Sequence, residues 1–160
     1  MKLIPLTQGK FAMVDDKDFE WLNQWKWYAH RQNTFFYVRR GINSRIKILM
    51  HRIILNIQDG LFVDHIDRNT LNNQRSNLRA CTNSENQMNT IKPKNNTSGY
   101  KGVIFYKHGR LWAAQIKVNK KQIYIGCFKN KLEAAKAYNI AALKYHGEFA
   151  YLNSFPLEHK

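Results

Sequence analysis

Short apolar runs broken by turn-forming residues dominate the first third of the chain. Lys2 to Leu6 and Lys10 to Val14 are apolar-rich and are separated by Thr7-Gln8-Gly9, which predicts two strands and a turn. Asp15-Asp16-Lys17-Asp18 reads as a helix start, with Phe19, Leu22 and Trp25 forming one buried face. Trp25, Trp27, Phe35, Tyr37 and Val38 suggest strands, Arg39 to Asn43 a turn, and Ile46, Ile48 and Met50 a further strand. No ladder-like order links these aromatics, so they read as core rather than as platforms for stacking bases.

Further along, Gln58-Asp59-Gly60 predicts a turn, Leu61 to His65 a strand, and Arg68 to Arg75 a polar, asparagine-rich loop. Leu78 to Cys81 predicts a second strand, and Asn83 to about Ile91 a helix. Thr82 with Glu85, or Asn83 with Asn86, fits a helix N-cap, because a side-chain oxygen there accepts from free backbone amides. Residues 92–98 carry a proline and no apolar residue, and read as a short linker. Gly99 to Tyr106, Leu111 to Val118 and Gln122 to Phe128 then predict three strands. Lys131 to about Tyr145 predicts a helix, since Leu132, Ala135, Tyr138, Ala142 and Tyr145 recur at helical spacing. Its alanines would let it lie close to the sheet. The expectation is an α+β chain: a strand-rich region leading into a strand–loop–strand–helix unit, then a three-stranded antiparallel sheet packed on one helix. Residues 1–91 form the first domain, with its core at about 57–91; 92–98 is the linker and 99–157 the second domain.

Charge adds a partner to this picture. Among 160 residues, 26 Lys and Arg stand against 11 Asp and Glu, a net charge of +15. An excess of this size favours a polyanion, because each neutralised phosphate releases condensed counterions. Residues 91–160 hold thirteen of the basic residues against three acids, so electrostatic attachment is expected mainly there. Cys81 and Cys127 stand far apart, which offers neither a CxxC zinc pair nor a stapled secreted fold. No charged-then-apolar leader and no apolar run near the roughly 18 residues of a membrane span is found, so the expected setting is a reducing cytoplasm without membrane attachment.

The candidate chemistry lies at Asp64-His65, with Asn77 twelve residues later and Asn86 nine beyond that. Cutting a phosphodiester needs an activated nucleophile, neutralisation of charge on the phosphate and stabilisation of the leaving oxygen. His65 is the candidate general base, because an imidazole near its free pKa accepts a proton from water at neutral pH. Asp64 is the candidate metal ligand, since Mg²⁺ takes oxygen donors and binds through one or two protein groups plus waters and phosphate. Each residue alone has a plainer reading as a hydrogen-bonding, cap, turn or surface residue. Asp67 fits the turn better than a metal site, Asn89 is the alternative to Asn86, and His51 reads as support for the site. Arg79 could clamp phosphate or sit in an ion pair, and Arg39, Arg40 and Arg52 could also contact phosphate.

In order and spacing, Asp64, His65, Asn77 and Asn86 resemble the HNH homing endonucleases. Ile4 to Lys10 and Met50-His51-Arg52 look like the leader of phage and bacterial members. The resemblance implies a ββα-metal (His-Me finger) motif holding one divalent ion, Mg²⁺ or Mn²⁺. It implies that Asn86 adds a ligand oxygen and that Asn77 holds the loop and orients the histidine. One such centre serves one strand at a time, so a monomer would nick double-stranded DNA and a double-strand break would need a homodimer or two events. A phage or mobile-element source is implied as well.

The second domain has its own resemblance. Tyr100-Lys101-Gly102-Val103, Trp112 to Ile116, Ile125 to Phe128, Glu133-Ala134-Ala135, Ala137-Tyr138 and Leu152-Asn153 look like the plant AP-two/ethylene-response-factor (AP2/ERF) DNA-binding domain. In that family the sheet lies in the major groove, which is wide enough to admit strands. The family's DNA-contacting positions fall on Lys101, Arg110, Trp112 and Lys117, while Ile104 stands where plant members often carry arginine. Together the two resemblances imply a metal-dependent DNA endonuclease with a DNA-binding module. The rivals are a non-catalytic, sequence-specific transcription regulator and an RNA-directed or non-specific nuclease; retention of all four site residues disfavours the regulator.

Overall fold

The computed structural model describes residues 1–156, so Leu157, the last residue of the expected second domain, lies outside them. The chain divides into two compact units after Asn86.

In the first unit, β1 (Lys2–Pro5) and β2 (Phe11–Val14) pair antiparallel with Leu3 opposite Met13. Gln8 and Gly9, both at φ +63°, reverse the chain between them. The helix α1 (Asp16–Leu22) carries two acids in its first turn, where the helix dipole favours negative charge. A three-stranded antiparallel sheet follows in the order β3 (Tyr28–Gln32), β4 (Phe35–Gly41), β5 (Lys47–Leu49). Next come α2 (Met50–Leu55), the antiparallel pair β6 (Phe62–His65) and β7 (Leu78–Cys81), and the start of α3 (Asn83–Met88). Ile4, Val14, Leu22, Trp27, Val38, Met50, Ile54 and Leu78 meet in one core, with Ile48 of β5 and Val63 of β6 packed against it.

Several local expectations change. Arg39, Arg40 and Gly41 continue β4 rather than turning, and the reversal comes at residues 42–46, where the Ile42 amide bonds the Ile46 carbonyl at 3.1 Å. The Arg40 guanidinium lies 4.0 Å over the Trp25 ring, a packing that keeps two consecutive arginines in a strand. Trp25 and Trp27 lie outside strands, and the Trp27 indole N–H donates to the Leu22 carbonyl at 2.8 Å. Met50 opens α2 instead of ending a strand, because Met50 and Ile54, one helical turn apart, are both buried. The third helix stops at Met88, short of Ile91.

In the second unit β8 (Val103–Tyr106), β9 (Leu111–Val118) and β10 (Lys121–Phe128) form an antiparallel sheet in the order β10-β9-β8, with α4 (Lys131–His146) against it. The Asn130 side chain caps α4 by accepting from the Leu132 amide at 2.8 Å. Ala134, Ala135, Tyr138, Ala141 and Ala142 are buried on the helix, and Val103, Ala114 and Ile116 on the sheet. Gly102, at φ +74°, lets the backbone pass the Tyr138 ring where a Cβ would collide with it. The first strand begins at Val103 rather than Gly99, since residues 96–102 fold as an ordered approach. Within the expected linker, Ser98 is buried and its hydroxyl donates to the Val103 carbonyl at 2.8 Å. Asn153 exchanges two hydrogen bonds with the Lys101 backbone, at 2.7 and 3.0 Å, and two with Asn139.

Candidate active site

The first unit's hairpin places the chemistry. Antiparallel pairing sets His65 opposite Leu78 and Asp64 opposite Arg79. Asp64 and His65 are both buried, at 5% and 4% exposure, an unusual position for a carboxylate that demands a compensating charge. Arg79 supplies it, with Nε and Nη2 donating to Asp64 Oδ2 at 2.9 and 2.6 Å. Arg79 is itself largely covered, its side chain 12% exposed, so of its two expected roles the ion pair is the one seen.

The His65 ring stands edge-on to His51, 5.1 Å between centroids at 90°, and His51 in turn stands edge-on to Tyr37 at 6.0 Å. Burial is the main influence holding the His65 pKa below its ordinary value; a hydrogen bond to the Asn73 side chain and the charges of Asp67 and Asp64 pull it back up. Burial, the neighbouring His65 and the charges of Arg52 and Arg39 push His51 down to about 3. At neutral pH both rings are therefore neutral, the state in which an imidazole can accept a proton.

Asn77 fastens the loop between the strands. Its Nδ2 donates to Asp67 Oδ1 at 2.8 Å and to the Asn72 carbonyl at 2.9 Å, and its Oδ1 accepts from the Asp67 amide at 2.9 Å. Its backbone carbonyl accepts from the Ile66 amide, directly after His65. Asp67 spends its other oxygen on Asn72 Nδ2 at 2.8 Å, so the carboxylate serves the turn.

The same loop is tied to the start of the chain by residues that the sequence reading passed over. Met13 bonds the backbone of Leu71 and Asn73 at 2.9 and 2.8 Å. Arg75 forks onto Asp18 at 2.8 and 2.9 Å, and its amide donates to Asp15 at 2.8 Å. Thr70 donates to the Phe36 carbonyl at 2.6 Å. The platform of β1, β2 and α1 thus holds the loop that holds the histidine. The only prior signal was the acidic run Asp15 to Asp18, which reads locally as a helix start.

Asn86 lies in the first unit on α3, half-buried, its amide bonded to the Thr82 carbonyl at 3.0 Å. Asn89 falls beyond the division between the units. Of the two possible caps, Thr82 with Glu85 is formed: the Thr82 amide donates to Glu85 Oε2 at 2.7 Å and the Glu85 amide to Thr82 Oγ1 at 3.2 Å. Among the described residues no group of three or more His, Cys, Asp or Glu converges as a metal cage. A hard divalent ion held by one carboxylate with waters and substrate phosphate needs no such cage. The buried Asp64 oxygen, already compensated by a cation, and the carboxamide of Asn86 are oxygen donors of the kind that such an ion takes.

The expected DNA contacts scatter. Arg39 and Arg40 lie half-buried on β4, and Arg52 donates to the Leu61 carbonyl at 2.8 Å. In the second unit Lys101 Nζ donates to the carbonyls of Met88 and Thr90 at 2.6 and 2.7 Å. Arg110 is exposed in the β8–β9 turn at φ +49°, Trp112 packs against Phe105 with centroids 5.0 Å apart and the rings tilted by 56°, and Lys117 is exposed on β9.

Comparison with known proteins fits this geometry. The HNH endonuclease family matches residues 56–88, the stretch from the approach to β6 through α3. An uncharacterized HNH endonuclease of Acanthamoeba polyphaga mimivirus is 32% identical over 154 residues, covering 92% of this chain and 77% of the relative. Protein 3.8 of Escherichia phage T7 is 35% identical over 94 residues, 59% of this chain and 77% of that protein. An AP2/ERF and B3 domain-containing transcription repressor of Arabidopsis thaliana is 39% identical over 70 residues, 44% of this chain but 19% of the plant protein. No solved structure matches the chain significantly. No helix among the described residues is long and apolar enough to cross a membrane. Since a relative of that family is 32% identical across 92% of this chain and 77% of its own length, this chain belongs to the HNH endonuclease family.

Proposed function

We propose that the chain is a metal-dependent, homing-type endonuclease that nicks double-stranded DNA, with a ββα-metal site on β6, β7 and α3 and an AP2/ERF-like attachment module in the second unit. The observation that carries this reading is the buried Asp64-His65 pair at the end of β6, backed by a loop that Asn77 fastens. His65, neutral and held by its surroundings, accepts the proton of the attacking water. Asn77 keeps the residues after His65 in place so that the ring faces the substrate in one pose. Asp64 and Asn86 would hold Mg²⁺ or Mn²⁺, which when bound neutralises charge on the phosphate and helps the 3′-oxygen leave. The P–O bond to that oxygen breaks as the water oxygen bonds to phosphorus, and the departing oxygen takes a proton from solvent, leaving a 5′-phosphate and a 3′-hydroxyl.

In the second unit the sheet face away from α4, with exposed Lys117 and a turn carrying Arg110, lies against the duplex. Support comes from the plant AP2/ERF relatives, from the sheet-on-helix arrangement and from the concentration of positive charge beyond residue 90. Lys101, Arg39, Arg40, Arg52 and Trp112 contribute more to the packing of their own units, to judge from the partners they already have.

The test is relaxation of supercoiled plasmid in Mg²⁺ by wild type and His65→Ala, with binding followed at fixed salt. Nicking by wild type, its loss in EDTA, and a variant that binds without cutting are the expected results. Binding without nicking under any divalent metal would replace this reading with that of a regulator, and a His65→Ala variant that cuts normally would remove His65 as the base.

A further inference from the structure

The ion pair across the hairpin has a consequence for how the site is loaded. Asp64 and Arg79 face each other in register on β6 and β7, so the backbone fixes their separation and only side-chain torsions can part them. Two guanidinium contacts, from Nε at 2.9 Å and Nη2 at 2.6 Å, fall on Asp64 Oδ2. The side chains are 12% and 6% exposed, too covered for solvent to screen the attraction strongly. A carboxylate in that grip is a poor ligand for a second cation, because the incoming charge meets the guanidinium beside it.

We propose that Arg79 is an exchangeable counter-ion for Asp64, which it releases when a DNA phosphate takes the guanidinium. The inference rests on the reading of Asp64 as a metal ligand. Without DNA, Arg79 compensates the buried carboxylate and the pair is closed to metal. A phosphate oxygen pair matches the planar guanidinium fork as well as a carboxylate does, so a bound duplex can draw Arg79 away. The freed carboxylate then accepts the divalent ion. Neither partner exchange is favourable alone, since each would leave one buried charge without its opposite. DNA and metal must therefore bind with positive coupling, and by linkage each strengthens the other equally. The site would load its metal chiefly on DNA.

The probe is Mn²⁺, titrated by electron paramagnetic resonance of the free ion, in the His65→Ala background so that an added duplex stays intact, with Mn²⁺ bound by the duplex alone subtracted. The duplex is expected to tighten Mn²⁺ binding about tenfold or more, within the range usual for coupled sites. In Arg79→Gln the ion should bind about tenfold more tightly without DNA, and most of the gain from duplex should vanish. Equal or weaker Mn²⁺ binding by folded Arg79→Gln, or no effect of duplex on the protein that retains Arg79, would overturn the proposal. Thermal melting establishes that the variant is folded; where it is not, the absence of a duplex effect with Arg79 in place still overturns the proposal. Asp64→Asn separates the two levels of argument: loss of Mn²⁺ binding upholds the metal site itself, whereas unchanged binding removes that reading and the counter-ion proposal with it.

Discussion

His51→Phe isolates the cost of burying a neutral imidazole beside the candidate base. His51 is 5% exposed, and its pKa is pushed down to about 3 by burial and by the neighbouring His65, Arg52 and Arg39. The unfolded chain takes up the proton near pH 6.5, while the folded chain refuses it until about 3. Stability from this residue is therefore complete above about pH 6.5 and falls as pH drops toward 3, by about 1.4 kcal/mol per pH unit. Between pH 7 and pH 5 the loss amounts to about 2 kcal/mol. Phenylalanine cannot take a proton, and it can keep the edge-on contacts to His65 and Tyr37, so it should remove that slope without emptying the core. Urea unfolding followed by tryptophan fluorescence suits the measurement, because Trp21, Trp25 and Trp27 all report on the first unit. The stability difference between pH 7 and pH 5 should shrink by about 2 kcal/mol in the variant. An unchanged difference would mean that the ring is hydrated or protonated in the folded protein and that the argument from burial is wrong.

Asp18→Asn should destabilise the first unit by about 1–2 kcal/mol at neutral pH, a figure discounted because the Arg75 side chain is 39% exposed. The hydrogen bonds from Arg75 hold the Asp18 pKa below its ordinary value, so its contribution is complete above about pH 4 and disappears as pH falls further; acid titration of the two proteins should converge there. Gly102→Ala forces a Cβ at φ +74° onto the Tyr138 ring and to 2.7 Å from the Gln115 carbonyl oxygen, and should cost the second unit about 3 kcal/mol or more in thermal unfolding. Lys117→Ala should lower the slope of log affinity for duplex DNA against log salt by about 0.9, the share of one phosphate contact, whereas Lys101→Ala should leave the slope unchanged because its ammonium bonds Met88 and Thr90. A smaller slope for Lys101→Ala and none for Lys117→Ala would reverse that assignment.

What the sequence made legible was local. Alternation and turn residues identify β1, β2 and β6 to β10 to within a few residues, since each is set by neighbours in the chain. The Thr82–Glu85 cap and the small residues of α4 are of the same kind. What stayed hidden depends on partners far along the chain. Arg39 and Arg40 have a turn-like composition with Gly41, and only the Trp25 and Trp27 rings under Arg40 explain their place in a strand. The helix α2 is six residues long, too short for periodicity to separate it from a strand, and the burial of Met50 and Ile54 decides it. At the site, Asp64, His65 and Asn77 stood out by residue type and spacing, but the pairing of Arg75 with Asp18 spans 57 positions and leaves no local mark.

The charge pattern gains meaning from that distinction. Composition counts every Lys and Arg as a possible phosphate contact, but in the fold many of these groups already have work. Arg75 clasps Asp18, Arg79 neutralises Asp64, Arg52 bonds the Leu61 carbonyl, Arg40 lies over two tryptophan rings and Lys101 bonds two backbone carbonyls. An arginine used this way costs affinity for DNA unless the phosphate offers something better than the present partner. For Arg75 and Arg40 no such exchange is favourable, because a carboxylate or two ring faces would be left behind. For Arg79 the proposed exchange would be favourable, a metal taking its place on Asp64. On that proposal the net charge of +15 divides into a structural part, a part that exchanges partners when metal and DNA bind, and an exposed remainder on which salt-sensitive attachment would depend. Binding measured against salt should register chiefly the exposed remainder, and the coupling between metal and DNA the part that turns over.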